Sequence, residues 1–81
     1  MNEQRRRELR SILNDLDVLS ECLSHEANGE DEAHDNMPES LQDTEKGQKL
    51  KDNAEKLHEF NRVISGVIEG LDKLINDKGE N

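Results

Sequence analysis

The sequence predicts an all-α fold: an antiparallel two-helix hairpin, coiled-coil-like, whose copies pair into a four-helix bundle. Three observations predict it. Apolar residues recur about every 3.5 to 3.6 residues over two long stretches, a helical and not a strand period. The only proline, Pro38, sits almost at the midpoint. The two halves are matched in length, and matched helices on a short connector pack antiparallel.

Composition sets the scale. The 81 residues leave room for one domain, 1–81. Hydrophobic residues make up 30% and charged residues 38%, and Phe60 is the only aromatic. Such values approach those of disordered chains, so periodicity carries the case for a fold.

The first helix is expected over about 3–35. Leu9, Leu16, Leu23, Glu30 and Met37 share one heptad line, and Ile12, Leu19, Glu26 and Ala33 share another. Leu13 and Cys22 widen the stripe, with Cys22 read as a core residue. Asn28-Gly29 could stop the helix, since Gly favours the position after a helix end. Continuation is preferred, because Ala33 and Met37 stay in register and a stop would leave an uncommonly long loop.

The connector covers 35–43. Pro38 has no N–H and drives Met37 out of the α region, so the first helix stops by about Asn36. Asp35 and Asn36 can bond nearby backbone amides. Glu39 and Ser40 follow, Ser40 with Asp43 has the spacing of a capping box, and Thr44 is a second candidate cap. The connector residues Asp35, Asn36, Met37, Pro38, Glu39 and Ser40 read either as a recognition loop or, more simply, as a turn whose polar residues satisfy its own backbone.

The second helix is expected over about 44–76. Leu50, Leu57, Ile64 and Leu71 repeat every seven residues, flanked by the lines Phe60, Val67, Leu74 and Ala54, Ile68, Ile75, with Val63 beside them. This stripe is wider than one coiled-coil seam. Gly66 and Gly70 mark either close helix approach or tolerated glycines. Lys78-Gly79 should end the element, with 77–81 frayed. One hairpin cannot cover both sides of so wide a stripe. A homodimer with the second helix at its centre is therefore expected, built on Leu16, Leu23, Leu57, Phe60, Ile64, Val67, Ile68 and Leu71.

Charge is segregated. The net charge is −9, yet residues 1–10 carry +2, residues 11–45 carry eleven acids and no Lys or Arg, and residues 46–81 balance. The hairpin would set Arg5, Arg6, Arg7 and Arg10 beside Glu69, Asp72 and Asp77, and the acidic end of the first helix beside Lys46, Lys49 and Lys51. Each such pair is worth a few tenths of a kcal/mol. The acidic block argues against direct nucleic-acid binding and anionic membranes. Glu26, Glu30, Asp31, Glu32 and Asp35 form a candidate acidic face for a basic protein partner; the simpler reading is a solvated helix face.

Chemistry finds little support. His25 with Glu26 and Glu30 with His34 could contribute to a metal site, but zinc needs three or four converging ligands. The acidic run 30–36 lacks the spacing of a calcium loop. Acids flank Cys22, the opposite of the electropositive setting of a reactive thiolate. No apolar run is long enough for a membrane span, and no signal segment is recognised, so a cytoplasmic location is expected. No catalytic residue, cofactor or metal is assigned.

The segment Glu30-Asp31-Glu32-Ala33-His34-Asp35-Asn36-Met37-Pro38-Glu39-Ser40-Leu41-Gln42, followed by Glu45-Lys46-Gly47, resembles small acidic helical proteins of phages and prophages of Firmicutes. Those carry an E-x-A-x-D-N-M-P-E-S-L-Q-like core, an E-[RK]-G step and a second amphipathic helix. The match covers about 20 residues closely and the rest by pattern, and Asn28-Gly29 departs from the unbroken acidic helix of that family. The family has no assigned activity. The resemblance implies a helical hairpin of phage origin in a bacterial host cell. The expected function is protein–protein interaction without catalysis, with an acidic DNA mimic that inhibits a host enzyme as the alternative.

Overall fold

The computed structural model describes residues 1–77, and the expectations for Lys78-Gly79 and for fraying over 78–81 lie outside them. Helix α1 spans Glu3–Asp35, α2 is a single turn at Glu39–Gln42, and α3 spans Glu45–Asn76. α1 and α3 run antiparallel and pack together, with no strand among the described residues. The rod measures 61 × 17 × 12 Å. Its radius of gyration is 18.2 Å, against about 12 Å for a compact domain of this length.

Local chemistry sets the ends. The side chain of Asn2 accepts the Arg5 amide N–H at 2.7 Å and starts α1. The helix runs unbroken through Gly29. It closes where the Asn36 N–H donates to the Glu32 carbonyl at 2.8 Å, and Pro38 forbids a further turn. The connector is not a plain loop. Leu41 N–H donates to Pro38 O at 2.8 Å to form α2, and the Gln42 side chain donates to Met37 O at 3.1 Å. Ser40 lies inside α2, so the capping-box expectation gives way to Thr44, whose hydroxyl accepts the Gly47 N–H and caps α3.

The seam between α1 and α3 follows a strict heptad on each helix. On α1 its two lines are Leu9, Leu16, Leu23, Glu30, Met37 and Arg6, Leu13, Ser20, Ala27, His34, all buried or half-buried. On α3 they are Leu50, Leu57, Ile64, Leu71 and Gly47, Ala54, Asn61, Ile68, Ile75, likewise covered. Two hydrogen-bonded pairs fix the register: Arg6 with Ile75, and Ser20 with Asn61. Stepping by seven along both helices sets Leu13 opposite Ile68, Ala27 opposite Ala54 and His34 opposite Gly47.

This corrects the second line expected on the first helix. Ile12, Leu19, Glu26 and Ala33 lie outside the seam, and the line of Arg6 takes their place. The reason is that the seam accepts polar residues where each finds a partner. The Arg6 guanidinium donates to the carbonyl of Ile75 and, at 2.9 Å, to that of Asp77. Positive charge there also suits the α3 C-terminus. Ser20 donates its hydroxyl proton to Asn61 Oδ1 at 2.6 Å. Near the connector the seam narrows to Ala27, Ala54 and Gly47, which are nearly or fully buried. A Cβ on Gly47 would lie 2.7 Å from the Leu41 carbonyl oxygen, so only glycine lets α3 start this close to α2.

Two pairs of substitutions follow from this seam. Gly47→Ala should cost about 1–3 kcal/mol through overpacking. Gly66→Ala, whose Cβ meets open space, should instead gain up to about 1 kcal/mol. Likewise Arg6→Ala should cost about 1–3 kcal/mol by stranding two helix-terminal carbonyls, whereas Arg7→Ala, on the exposed side, should stay within about 0.5 kcal/mol. Urea unfolding followed by circular dichroism measures all four, and equal effects of Arg6→Ala and Arg7→Ala would contradict the assignment.

Candidate interaction surface

An antiparallel pair has two open sides, and the heptad decides what each presents. Residues one step after the Leu9 and Leu50 lines face one side. They are Arg10, Asp17, Ser24 and Asp31 on α1, with Lys51, His58, Ser65 and Asp72 on α3. This side is polar. His58 Nε2 lies 2.8 Å from Asp31 Oδ2 across it. The Arg10 guanidinium reaches the Asn76 side-chain oxygen at 3.3 Å.

Residues one step before the Arg6 and Gly47 lines face the other side. Here stand Ile12 and Leu19 on α1, with Phe60, Val67 and Leu74 on α3, between 46% and 58% exposed. Val63, at 62% exposed, and Cys22 flank them on the outer edges. On α3 the run Leu57, Phe60, Ile64, Val67, Leu71, Leu74 has alternating steps of three and four, the spacing of a coiled-coil seam. On α1 the run Leu9, Ile12, Leu16, Leu19, Leu23 repeats it. The hairpin therefore carries a second apolar seam that stays open among the described residues.

That seam stops halfway along the rod. Past Leu19 and Phe60 the same side turns polar, with Glu26 and Ala33 on α1 and Asn53 and Lys46 on α3. At the boundary Glu30, Asn53, Lys56, Leu57 and Phe60 line a shallow groove, and Asn53 donates to Glu30 at 3.3 Å.

The residues singled out from sequence separate accordingly. Leu16, Leu23, Leu57, Ile64, Ile68 and Leu71 are half-buried in the hairpin, whereas Phe60 and Val67 stand on the open side. Cys22, read as core, is an exposed thiol, because it sits on the outer edge of α1 away from α3. Glu26, Glu30, Asp31, Glu32 and Asp35 do not line one strip: they fall successively on the apolar side, the seam, the polar side and the outer surface. Of the connector residues, Asp35 ends α1, Asn36 caps it, Met37 is half-buried, and Pro38, Glu39 and Ser40 open α2.

The charge pairings also differ from the expected ones. Arg6 binds the backbone carbonyls of Ile75 and Asp77 and pairs with Glu3 at 3.5 Å, Arg10 reaches Asn76, and Arg5 turns to Glu8 within its own helix. Glu30 and Asp31 meet Asn53 and His58, not Lys46, Lys49 or Lys51. Among the described residues no group of three or more His, Cys, Asp or Glu is placed to hold a metal ion, and no helix is long and apolar enough to cross a membrane. Sequence reading missed the Arg6–Leu13–Ser20–Ala27–His34 line; its signal was the matching Gly47–Ala54–Asn61 spacing on the other half. Comparisons with family models, curated proteins and solved structures give no match.

Proposed function

We propose that this chain is a non-catalytic protein–protein interaction module that works as a homodimer, two hairpins closing into a four-helix bundle. The observation that carries the reading is the open apolar seam of Ile12, Leu19, Phe60, Val67 and Leu74. Among the described residues of the single hairpin, the buried hydrophobics are Leu13, Ala27, Ala54 and Ile75. A chain this short needs more core than that, and oligomerisation is one standard way to supply it. The resemblance of the connector to that of small acidic phage proteins supports a role in phage or prophage biology inside a bacterial cell. Its exposed acids suit a basic protein partner. The alternative, an acidic DNA mimic, stays second, since the candidate acids point to different sides of α1.

Sedimentation of the purified chain across micromolar concentrations tests the reading. The wild type should sediment as a dimer. Phe60→Glu with Val67→Glu should weaken association at least a hundredfold, about 2.7 kcal/mol, because both side chains are open in the hairpin and lie in the proposed interface. Ser65→Glu on the polar side should leave the dimer intact. A wild-type monomer throughout would sink the proposal.

A further inference from the structure

We infer that the two hairpins pair about a twofold axis parallel to their long axis, so that both connectors lie at the same end and α1 of each copy packs on α3 of the other. This rests on the reading of the apolar side as a self-association surface and specifies how the second copy sits.

Area makes a second copy the occupant of choice. The hairpin exposes 6172 Å², whereas a compact monomer of this mass exposes about 5,000 Å². The excess of roughly 1,200 Å² exceeds the ~800 Å² that each partner contributes to a standard interface. A copy of the same chain brings an apolar strip of equal length and matching heptad spacing.

Pattern and charge then choose the orientation. A face-to-face twofold pair has two options. In one, connectors coincide and α1 lies on the partner's α3. In the other, connectors point opposite ways and α1 lies on the partner's α1. The apolar residues occupy only the half near the termini, so full overlap with opposed connectors would press Val67 and Leu74 against the polar half of Asn53 and Lys46. Sliding the copies apart until only the apolar halves overlap would avoid this. It would still lay Glu8 and Asp15, on the outer edge of α1, against the same acids of the partner. Like charges in contact are unfavourable.

With connectors together, apolar half meets apolar half and polar half meets polar half. In the polar half the α1 side carries Glu26 and Glu30, while the α3 side carries Lys49 and Lys56. The twofold axis brings each acidic strip onto the partner's basic strip. In the apolar half it brings Cys22 of one copy beside Val63 of the other, so both outer edges gain cover. The assembly then presents two identical acidic connectors at one end and the Glu3 and Asn76 ends of the long helices at the other.

One nitroxide per chain tests the orientation. Cys22→Ser combined with Ser40→Cys places the label on the exposed connector. Circular dichroism checks the helix content, and sedimentation of the same sample checks for a dimer. Helix axes in a bundle lie about 8–10 Å apart, so pulsed electron–electron resonance should report a distance below roughly 40 Å. A dimer with a longer distance, near the 61 Å length of the rod for full overlap or beyond it for the slid pair, overturns the orientation while leaving the dimer standing. A monomer in sedimentation overturns the dimer itself, and the orientation with it.

Discussion

Leu9, Leu16 and Leu23 on α1, and Leu57, Ile64 and Leu71 on α3, belong to two seams at once. With the Arg6 and Gly47 lines they close the hairpin, and with Ile12, Leu19, Phe60, Val67 and Leu74 they form the uncovered strip. A helix can turn one narrow stripe toward one neighbour. Since each long helix here carries a wider stripe, one antiparallel partner satisfies only part of it. The remaining apolar area follows from that geometry.

The closed seam gains its register from residues that contribute little hydrophobic energy. Arg6 ties the start of α1 to the end of α3 through two carbonyls. Ser20 and Asn61 form a polar layer near the middle. A polar layer of this kind is a well-attested way to fix alignment at some cost in stability. At the connector, Gly47 and the pair Ala27 and Ala54 bring the helices close, and Gly47 leaves room for the carbonyls of α2. A slip of one heptad would strand Arg6 and set large side chains against the narrow end. Register is thus specified by what would be left unpaired or overpacked.

The helical fold and the packing of two long helices were legible because periodicity survives a polar composition. Leu50, Leu57, Ile64 and Leu71 alone mark the inner face of α3. Less legible was the face of α1. Hydrophobicity points to Ile12 and Leu19, yet the seam takes Arg6 and Ser20, whose presence depends on partners on the other helix, and His34, which lies opposite Gly47. Cys22 misled for the same reason, since an apolar-leaning residue in a polar stretch looks inward until its angular position is known. The charge pairs were misread because Arg6 meets the carbonyls that end α3, while Arg5 and Arg6 find their carboxylates, Glu8 and Glu3, within their own helix. One-turn α2 escaped notice because Pro38 signals where a helix stops and says little about a single turn that follows.

The proposed function rests on the surface of the hairpin. The described residues offer an apolar strip, a polar side and an acidic connector, arranged along a rod whose two ends differ. The most direct test of the central claim is an isotope-filtered nuclear Overhauser experiment on a mixture of labelled and unlabelled chains. Contacts between the Phe60 ring of one molecule and the Leu19 methyls of another, and between the Val67 methyls of one and the Ile12 methyls of another, are the predicted result. Their absence, with relaxation rates of a monomer at the same concentration, would contradict the account.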